Sequence, residues 1–217
     1  MQPRSSGRVV IVTGGGVDAE DLEEIRPRED FLIGVDGGLH ALLEAGLLPH
    51  LAVGDFDSAG LEMHEKLARM GVPTEKLPAE KDVTDTHFAV MEALKRRPES
   101  VLLLGAVGTR IDHTLSNLFL LETVEREGVR GEIRNRHNRI RLLRGGSLRV
   151  RKSRYRYLSL LPLSDTVSGV TLTGFRYPLT EAVLRRSDSL GVSNELVEEE
   201  GEIRLRSGML FVIESRD

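Results

Sequence analysis

A chain of 217 residues with 40% hydrophobic and 29% charged residues has the balance of a folded globular protein, with one large core or two small ones. It contains no cysteine, which excludes a disulfide framework, a thiolate zinc site and a cysteine nucleophile, and makes a reducing cytoplasm the expected location. A net charge of −4 gives no general attraction to nucleic acid or anionic lipid, and no apolar run approaches the roughly 20 residues of a membrane span. The amino terminus shows no signal-peptide pattern, so neither nucleic acid nor membrane is expected as a partner.

The first strand is the β-branched run Arg8–Thr13, which meets Gly14-Gly15-Gly16. Asp18 can cap a helix reaching Arg26, where Pro27 ends it. Phe31–Val35 is a second strand closing in Asp36-Gly37-Gly38, followed by a helix over Leu39–Ala45 that Gly46 stops. Leu51-Ala52-Val53 is a third strand, and residues 60–70 carry Leu61, Glu65, Leu67 and Ala68 at helical spacing. Val72–Leu77 forms a short fourth strand. A helix to about Arg96 then places Val83, His87, Val90, Met91 and Leu94 on one face. Ser100–Leu104 is the fifth strand, and the helix after it is expected to bury Ile111, Leu115, Leu118 and Leu121. Alternation of strand and helix predicts a parallel sheet with helices on both faces, whose ligands bind at the carboxyl ends of the strands.

From about Asn138 the pattern changes to period two, in Arg139–Leu142, Leu148–Arg151, Val170–Thr173 and Ile203–Arg206, punctuated by Gly145-Gly146, Gly169, Gly174 and Gly208. The fold class is therefore α/β: a parallel α/β domain over 1–137 and an antiparallel β-sandwich or barrel over 138–217.

Every predicted strand end in the first domain carries glycine, acid or both. In Gly54-Asp55-Phe56-Asp57-Ser58 an extended chain puts Asp55 and Asp57 on one face. Two carboxylates 4 Å apart repel by about 4 kcal/mol in a partly screened site, a cost that Mg²⁺ removes. The same residues also suit a solvated turn. Lys81-Asp82-Val83-Thr84-Asp85 opens a helix at a strand end. It reads either as a cap by Asp82 and Asp85 or as a phosphate-binding start, with Asp85 as a third metal carboxylate. Arg110, Asp112 and His113 open the fifth helix after a glycine-rich turn. Arginine there forks onto phosphate oxygens and Asp112 can accept a hydroxyl proton or ligate metal; the alternative is a surface ion pair. His113 and Asn117, one turn apart, suit bonds to each other or to backbone.

Gly14–Ala19 formally fits a dinucleotide fingerprint, with Asp36 as the ribose ligand, so a nicotinamide-dependent oxidoreductase is a rival reading. It leaves the acids after the third to fifth strands without a task. A non-catalytic nucleotide sensor is a third reading. Ten arginines lie between Arg130 and Arg156, but most alternate with aliphatic residues, which places them on the outer face of strands.

Taken together, Gly-Asp-Phe-Asp-Ser, Lys-Asp-x-Thr-Asp and Gly-Ala-x-Gly-x-Arg-x-Asp-His, in this order and spacing, resemble the thiamine pyrophosphokinase family. Gly169–Leu172, Gly174–Leu179 and Gly191–Glu195 resemble the β domain of its bacterial branch; one departure is Thr109, where the family usually has glycine. The resemblance implies transfer of a pyrophosphoryl group from ATP to the hydroxyl of thiamine, giving thiamine diphosphate and AMP. It implies Mg²⁺ on Asp55, Asp57 and Asp85, and Lys81 and Arg110 as cationic clamps with Asp112 acting on the thiamine hydroxyl. Asp36, Ser58, Lys81, Thr84, Arg110 and His113 are the expected nucleotide-binding set, and Ser193 and Asn194 the thiamine-facing set. A homodimer with active sites shared between protomers is implied as well.

Overall fold

Unbroken valine, isoleucine and leucine runs such as Val9–Val12 and Val101–Leu104 are buried on both faces, as strands covered by helices on either side require. A computed structural model describes residues 7–56, 61–76 and 83–217, and the chain divides into two compact units between Arg136 and His137. In the first unit β1 (Arg8–Val12), α1 (Ala19–Leu22), β2 (Phe31–Val35), α2 (Gly37–Glu44), β3 (Leu51–Gly54) and α3 (Leu61–Arg69) follow one another. They are continued by β4 (Thr74–Lys76), α4 (Asp85–Lys95), β5 (Ser100–Leu104), α5 (Ile111–Arg126) and β6 (Arg130–Arg134). The strands lie in the order β6-β5-β1-β2-β3-β4, every neighbouring pair parallel.

Several expectations shift. The sheet gains a sixth parallel strand, β6, at the start of the arginine-rich stretch 130–156. The first helix stops after one turn instead of reaching Arg26. The carboxylate of Asp30, only 3% exposed, takes the backbone N–H of Arg26 at 2.7 Å and so ends the helical ladder. Asp30 also holds Arg8 through bonds of 2.9 and 2.6 Å, tying the start of β1 to the loop before β2.

The two long helices are rotated from the expected faces. On α4 the buried residues are Ala89, Val90 and Ala93, while Met91 is exposed. On α5 Asn117, Leu120, Leu121 and Val124 face inward, whereas Ile111 and Leu115, expected in the core, are 66% and 46% exposed. Apolar residues surround α5, so spacing alone leaves its rotation open. Polar bonds decide it: the Asn117 amide donates to the Ala106 carbonyl at 2.9 Å, and the Thr114 hydroxyl accepts the Gly108 N–H at 3.1 Å.

The second unit is antiparallel throughout. It contains β7 (Asn138–Arg151), β8 (Tyr157–Pro162), β9 (Thr166–Thr173), β10 (Leu179–Arg185), the two-residue β11 (Asn194–Glu195) and β12 (Glu200–Ser215). The segments Arg139–Leu142 and Leu148–Arg151, read as two strands, are one long strand that continues through Gly145-Gly146. Its partner β12 shifts register opposite that point, between Leu205 and Met209. One half of β12 then pairs with β9 and the other with β8, so a single bent ribbon serves two parts of the sheet. Leu160, Val167, Leu172, Ile203 and Val212 lie in its core with at most 1% exposure. Each such side chain contributes about 1.5–3 kcal/mol by burial.

The basic stretch proves to be paired. Arg134 binds Glu24 and Glu132, Arg139 and Arg141 bind Glu214, and Arg149 and Arg151 bind Glu200. Glu214 is 2% exposed, so Arg139 and Arg141 lie partly inside the unit and not on a solvated outer face.

Candidate active site

Strand order reverses at β1, whose neighbours are β2 on one side and β5 on the other, and connections from the two lead to opposite sides of the sheet. Such a reversal leaves a crevice beyond the carboxyl ends. Here it is a cavity of about 450 Å³ lined by Thr13–Gly16 after β1, Val35 and Asp36 at the end of β2, and Gly105, Ala106 and Gly108–Arg110 after β5, with Thr86, His113, Thr114 and Asn117 from the helices. Its floor is two backbone turns in contact. The Gly15 N–H donates to the Gly105 carbonyl at 2.9 Å, and the Thr13 hydroxyl donates to the same oxygen at 2.6 Å. A Cβ on Gly15 would stand 2.2 Å from that oxygen, so no other residue fits there without moving the floor.

This arrangement weakens the dinucleotide reading on physical grounds. The Gly15 N–H is already spent on Gly105, and the helix after the glycines is four residues long. The fingerprint's long helix terminus is thus missing, and the central glycine's N–H is taken.

Carboxylates gather at the next strand ends. Asp36 follows β2 with φ 47° and ψ −118°, a conformation costly for a residue with a Cβ, and it stands at the N-cap position of α2 without a side-chain capping bond. Desolvation, the charges of Asp85 and Asp55 and a hydrogen bond to Asp85 together push its carboxyl up to about 7. Acids from the ends of β2 and β3 and from the start of α4 therefore meet around Asp36, and Gly54 makes room: a Cβ there would lie 2.8 Å from Asp36 Oδ1. Among the described residues no three His, Asp or Glu side chains form a metal-holding group by themselves. Asp57, Ser58 and Lys81 lie outside the described residues.

The remaining expected residues divide. Thr84 is the N-cap of α4, its hydroxyl accepting the His87 N–H at 3.2 Å; this is the capping role that the sequence reading gave to Asp82, which lies outside the described residues. Arg110 and His113 line the cavity. Arg110 forks onto Asp112 through Nε and a terminal nitrogen at 3.3 and 2.6 Å, with both side chains about two-thirds exposed. Hydrogen bonding to Arg110 holds the Asp112 carboxyl below its usual range and raises the guanidinium in turn. Asp112 thus pairs with Arg110, not with the other acids.

In the second unit a pocket of about 500 Å³ is lined by Tyr177, Leu179, Ser189, Leu190, Gly191, Val192 and Asn194. Ser193 is exposed beside it with φ 57°, its N–H bonded to the Ser159 hydroxyl at 3.0 Å, while Asn194 is 3% exposed. Residues that sequence reasoning passed over are Thr13, Thr114 and Tyr177. Asn117, whose spacing allows a bond to His113 or to backbone, bonds the loop backbone at Ala106. Thr114 and Asn117 carried a signal in their helical spacing, one side of a turn apart on the face toward the glycine loop.

A family model described as thiamin pyrophosphokinase, catalytic domain, matches residues 22–132, and one described as thiamin pyrophosphokinase, vitamin B1 binding domain, matches residues 147–210. The chain is 33% identical to thiamine pyrophosphokinase of Bacillus subtilis over 209 residues, covering 95% of this chain and 98% of the relative. Its fold is similar to the crystal structure of that Bacillus subtilis protein, with a TM-score of 0.89 at 32% identity, covering 97% of this chain and 99% of the other. It is also similar to the thiamin pyrophosphokinase structure from Geobacillus thermodenitrificans, with a TM-score of 0.87 at 36% identity and coverage of 97% and 98%.

Proposed function

Since this chain belongs to the thiamine pyrophosphokinase family and is an enzyme that forms thiamine diphosphate, we propose that it does so by moving the pyrophosphoryl group of ATP to the thiamine hydroxyl, releasing AMP. The observation that carries this reading is the convergence of Asp36, Asp55 and Asp85 beside a glycine-floored cavity with Arg110 at its rim. Pyrophosphoryl transfer asks for positioning and charge neutralisation more than for a strong nucleophile, and these groups supply both.

The acids suit Mg²⁺. Their hard oxygens match it, and a divalent charge would offset both the burial and the neighbouring negative charges that keep a proton on Asp36 near neutrality. Asp55, Asp57 and Asp85 would hold the ion with Asp36 beside them, and when bound it would neutralise charge on the phosphate oxygens. The chain's own part is to cradle the phosphates on the glycine turns and hold them by Arg110 and Lys81 in line with the hydroxyl. Asp112, beside Arg110, orients the hydroxyl or takes its proton.

The first unit serves ATP and Mg²⁺, and the second serves thiamine through the pocket at Tyr177, Leu179, Leu190 and Val192, in the stretch matched by the vitamin B1 binding model. The enzyme works in the cytoplasm as a homodimer whose active sites are shared between protomers. Support for a second copy comes from α5, where Ile111, Leu115 and Phe119 form an exposed apolar stripe four residues apart.

One assay tests the reaction. The protein is incubated with thiamine, ATP and Mg²⁺ and the products are separated. AMP with thiamine diphosphate is the expected pair. ADP with thiamine monophosphate would replace pyrophosphoryl by simple phosphoryl transfer.

A further inference from the structure

The Asn194 side chain is spent. Its Oδ1 accepts the N–H of Tyr177 at 3.0 Å and that of Glu195 at 2.9 Å, and its Nδ2 donates to the Tyr177 carbonyl at 2.8 Å. The orientation of the amide is determined by its partners, because a flipped group would set N–H against N–H and oxygen against carbonyl. At 3% exposure, the residue has little surface left to offer a ligand. Tyr177, seventeen positions earlier, presents the opposite picture: it is 61% exposed, on a pocket lined by Leu179, Leu190 and Val192. A large ring held in water at an apolar pocket mouth is a costly arrangement for a core residue and a useful one for a surface that receives an aromatic substrate.

We propose that Asn194 is not a thiamine ligand but a positioning residue, whose amide clamps both backbone groups of Tyr177 so that the ring is fixed against the substrate. The proposal rests on the reading of this pocket as the thiamine surface. It replaces the sequence-based expectation that Asn194 itself faces thiamine. β11, only two residues long, pairs with Tyr157 and Leu158 of β8, so the clamp is anchored on the sheet and the tyrosine loop hangs from it.

A double-mutant cycle with the full-length chain tests this. Asn194→Ala is expected to raise the KM for thiamine about tenfold, the scale of one lost net hydrogen bond, with the KM for ATP and kcat within about twofold of wild type. Tyr177→Ala is expected to raise the thiamine KM at least as much. If Asn194 acts only through Tyr177, adding Asn194→Ala to Tyr177→Ala changes the thiamine KM by less than about twofold. Multiplication of the two effects would overturn the proposal, since it would give Asn194 a contact of its own.

A spectroscopic readout is independent of turnover. The chain has no tryptophan and three tyrosines, so its emission comes from tyrosine alone. Thiamine should quench wild type more than Tyr177→Phe, and Asn194→Ala should show a weaker quench at equal thiamine. Quenching unchanged in Asn194→Ala would also overturn the clamp. If alanine does not fold, Asn194→Asp keeps both N–H acceptors and loses only the donor to the Tyr177 carbonyl, and the same non-additivity is expected. A wild-type protein that neither binds thiamine nor converts it would instead bring down the reading of the site itself. A site that works with independent Asn194 and Tyr177 would bring down this inference alone.

Discussion

Asp36 carries its charge with difficulty, and this has a measurable consequence. Its carboxyl stands at about 7 against an ordinary 3.8, so between these values the metal-free folded protein keeps a proton that the unfolded chain has released. Stability therefore falls as pH rises through that window. Asp36→Asn removes the contribution: thermal melts in chelator-treated buffer should show a shallower decline between pH 4 and 7 than wild type. An unchanged slope would mean that Asp36 is not the titrating group. Arg110 offers a second residue-level test. Lysine keeps the charge and loses the fork that guanidinium makes on paired oxygens, as it now does on Asp112. Arg110→Lys should lower kcat about tenfold or more at saturating ATP, because the clamp matters most as charge shifts in the transition state. A change confined to the thiamine KM would contradict the role.

At the scale of elements, α5 has two jobs on two faces. Inward, Thr114 and Asn117 hold the loop that floors the cavity. Outward, Ile111, Leu115 and Phe119 leave an apolar stripe uncovered within the chain. The stripe makes a prediction about assembly. Leu115→Lys with Phe119→Lys should leave the fold of the chain intact by circular dichroism, since both side chains are about half exposed. It should nevertheless shift the sedimenting species from dimer to monomer at micromolar concentration. A dimer of unaltered affinity would place the interface elsewhere. The same duality explains why the helix was misread: apolar residues all round it fit any rotation, and two polar anchors chose one.

For the whole molecule, the shared site is the claim with the widest reach. Asp55→Asn damages the acid cluster, and Asn194→Ala damages thiamine use in the other unit. Mixed under conditions where dimers exchange subunits and assayed at thiamine well below KM, where each variant alone is strongly impaired, the pair should regain roughly a quarter of wild-type sites. About half the dimers are then mixed, and one of the two sites in each is free of both defects. If each site lay within one protomer, every site would keep a defect. No recovery after proven exchange would reject sharing.

Read alone, the sequence already determined a great deal. Continuous apolar runs ending in glycine and acid, alternating with helical stretches, match buried parallel strands with polar carboxyl ends. The change to period two at Asn138 announces the antiparallel half. The acids at 36, 55 and 85 were each legible as strand-end or helix-start residues, because local spacing sets where a side chain leaves the backbone. Their mutual approach was not legible, nor was the proton that burial and the neighbouring charges leave on Asp36, since both depend on β2, β3 and the start of α4 being brought together. The same holds for Asn194. Its polarity and burial are compatible with a ligand contact or a backbone clamp, and only the fold, by setting Tyr177 across from it, decided for the clamp. Sequence patterns record which face of an element is apolar and where its chain turns. Long-range hydrogen bonds and charge repulsion arise between residues far apart in the chain, and they exist only once the chain has closed on itself.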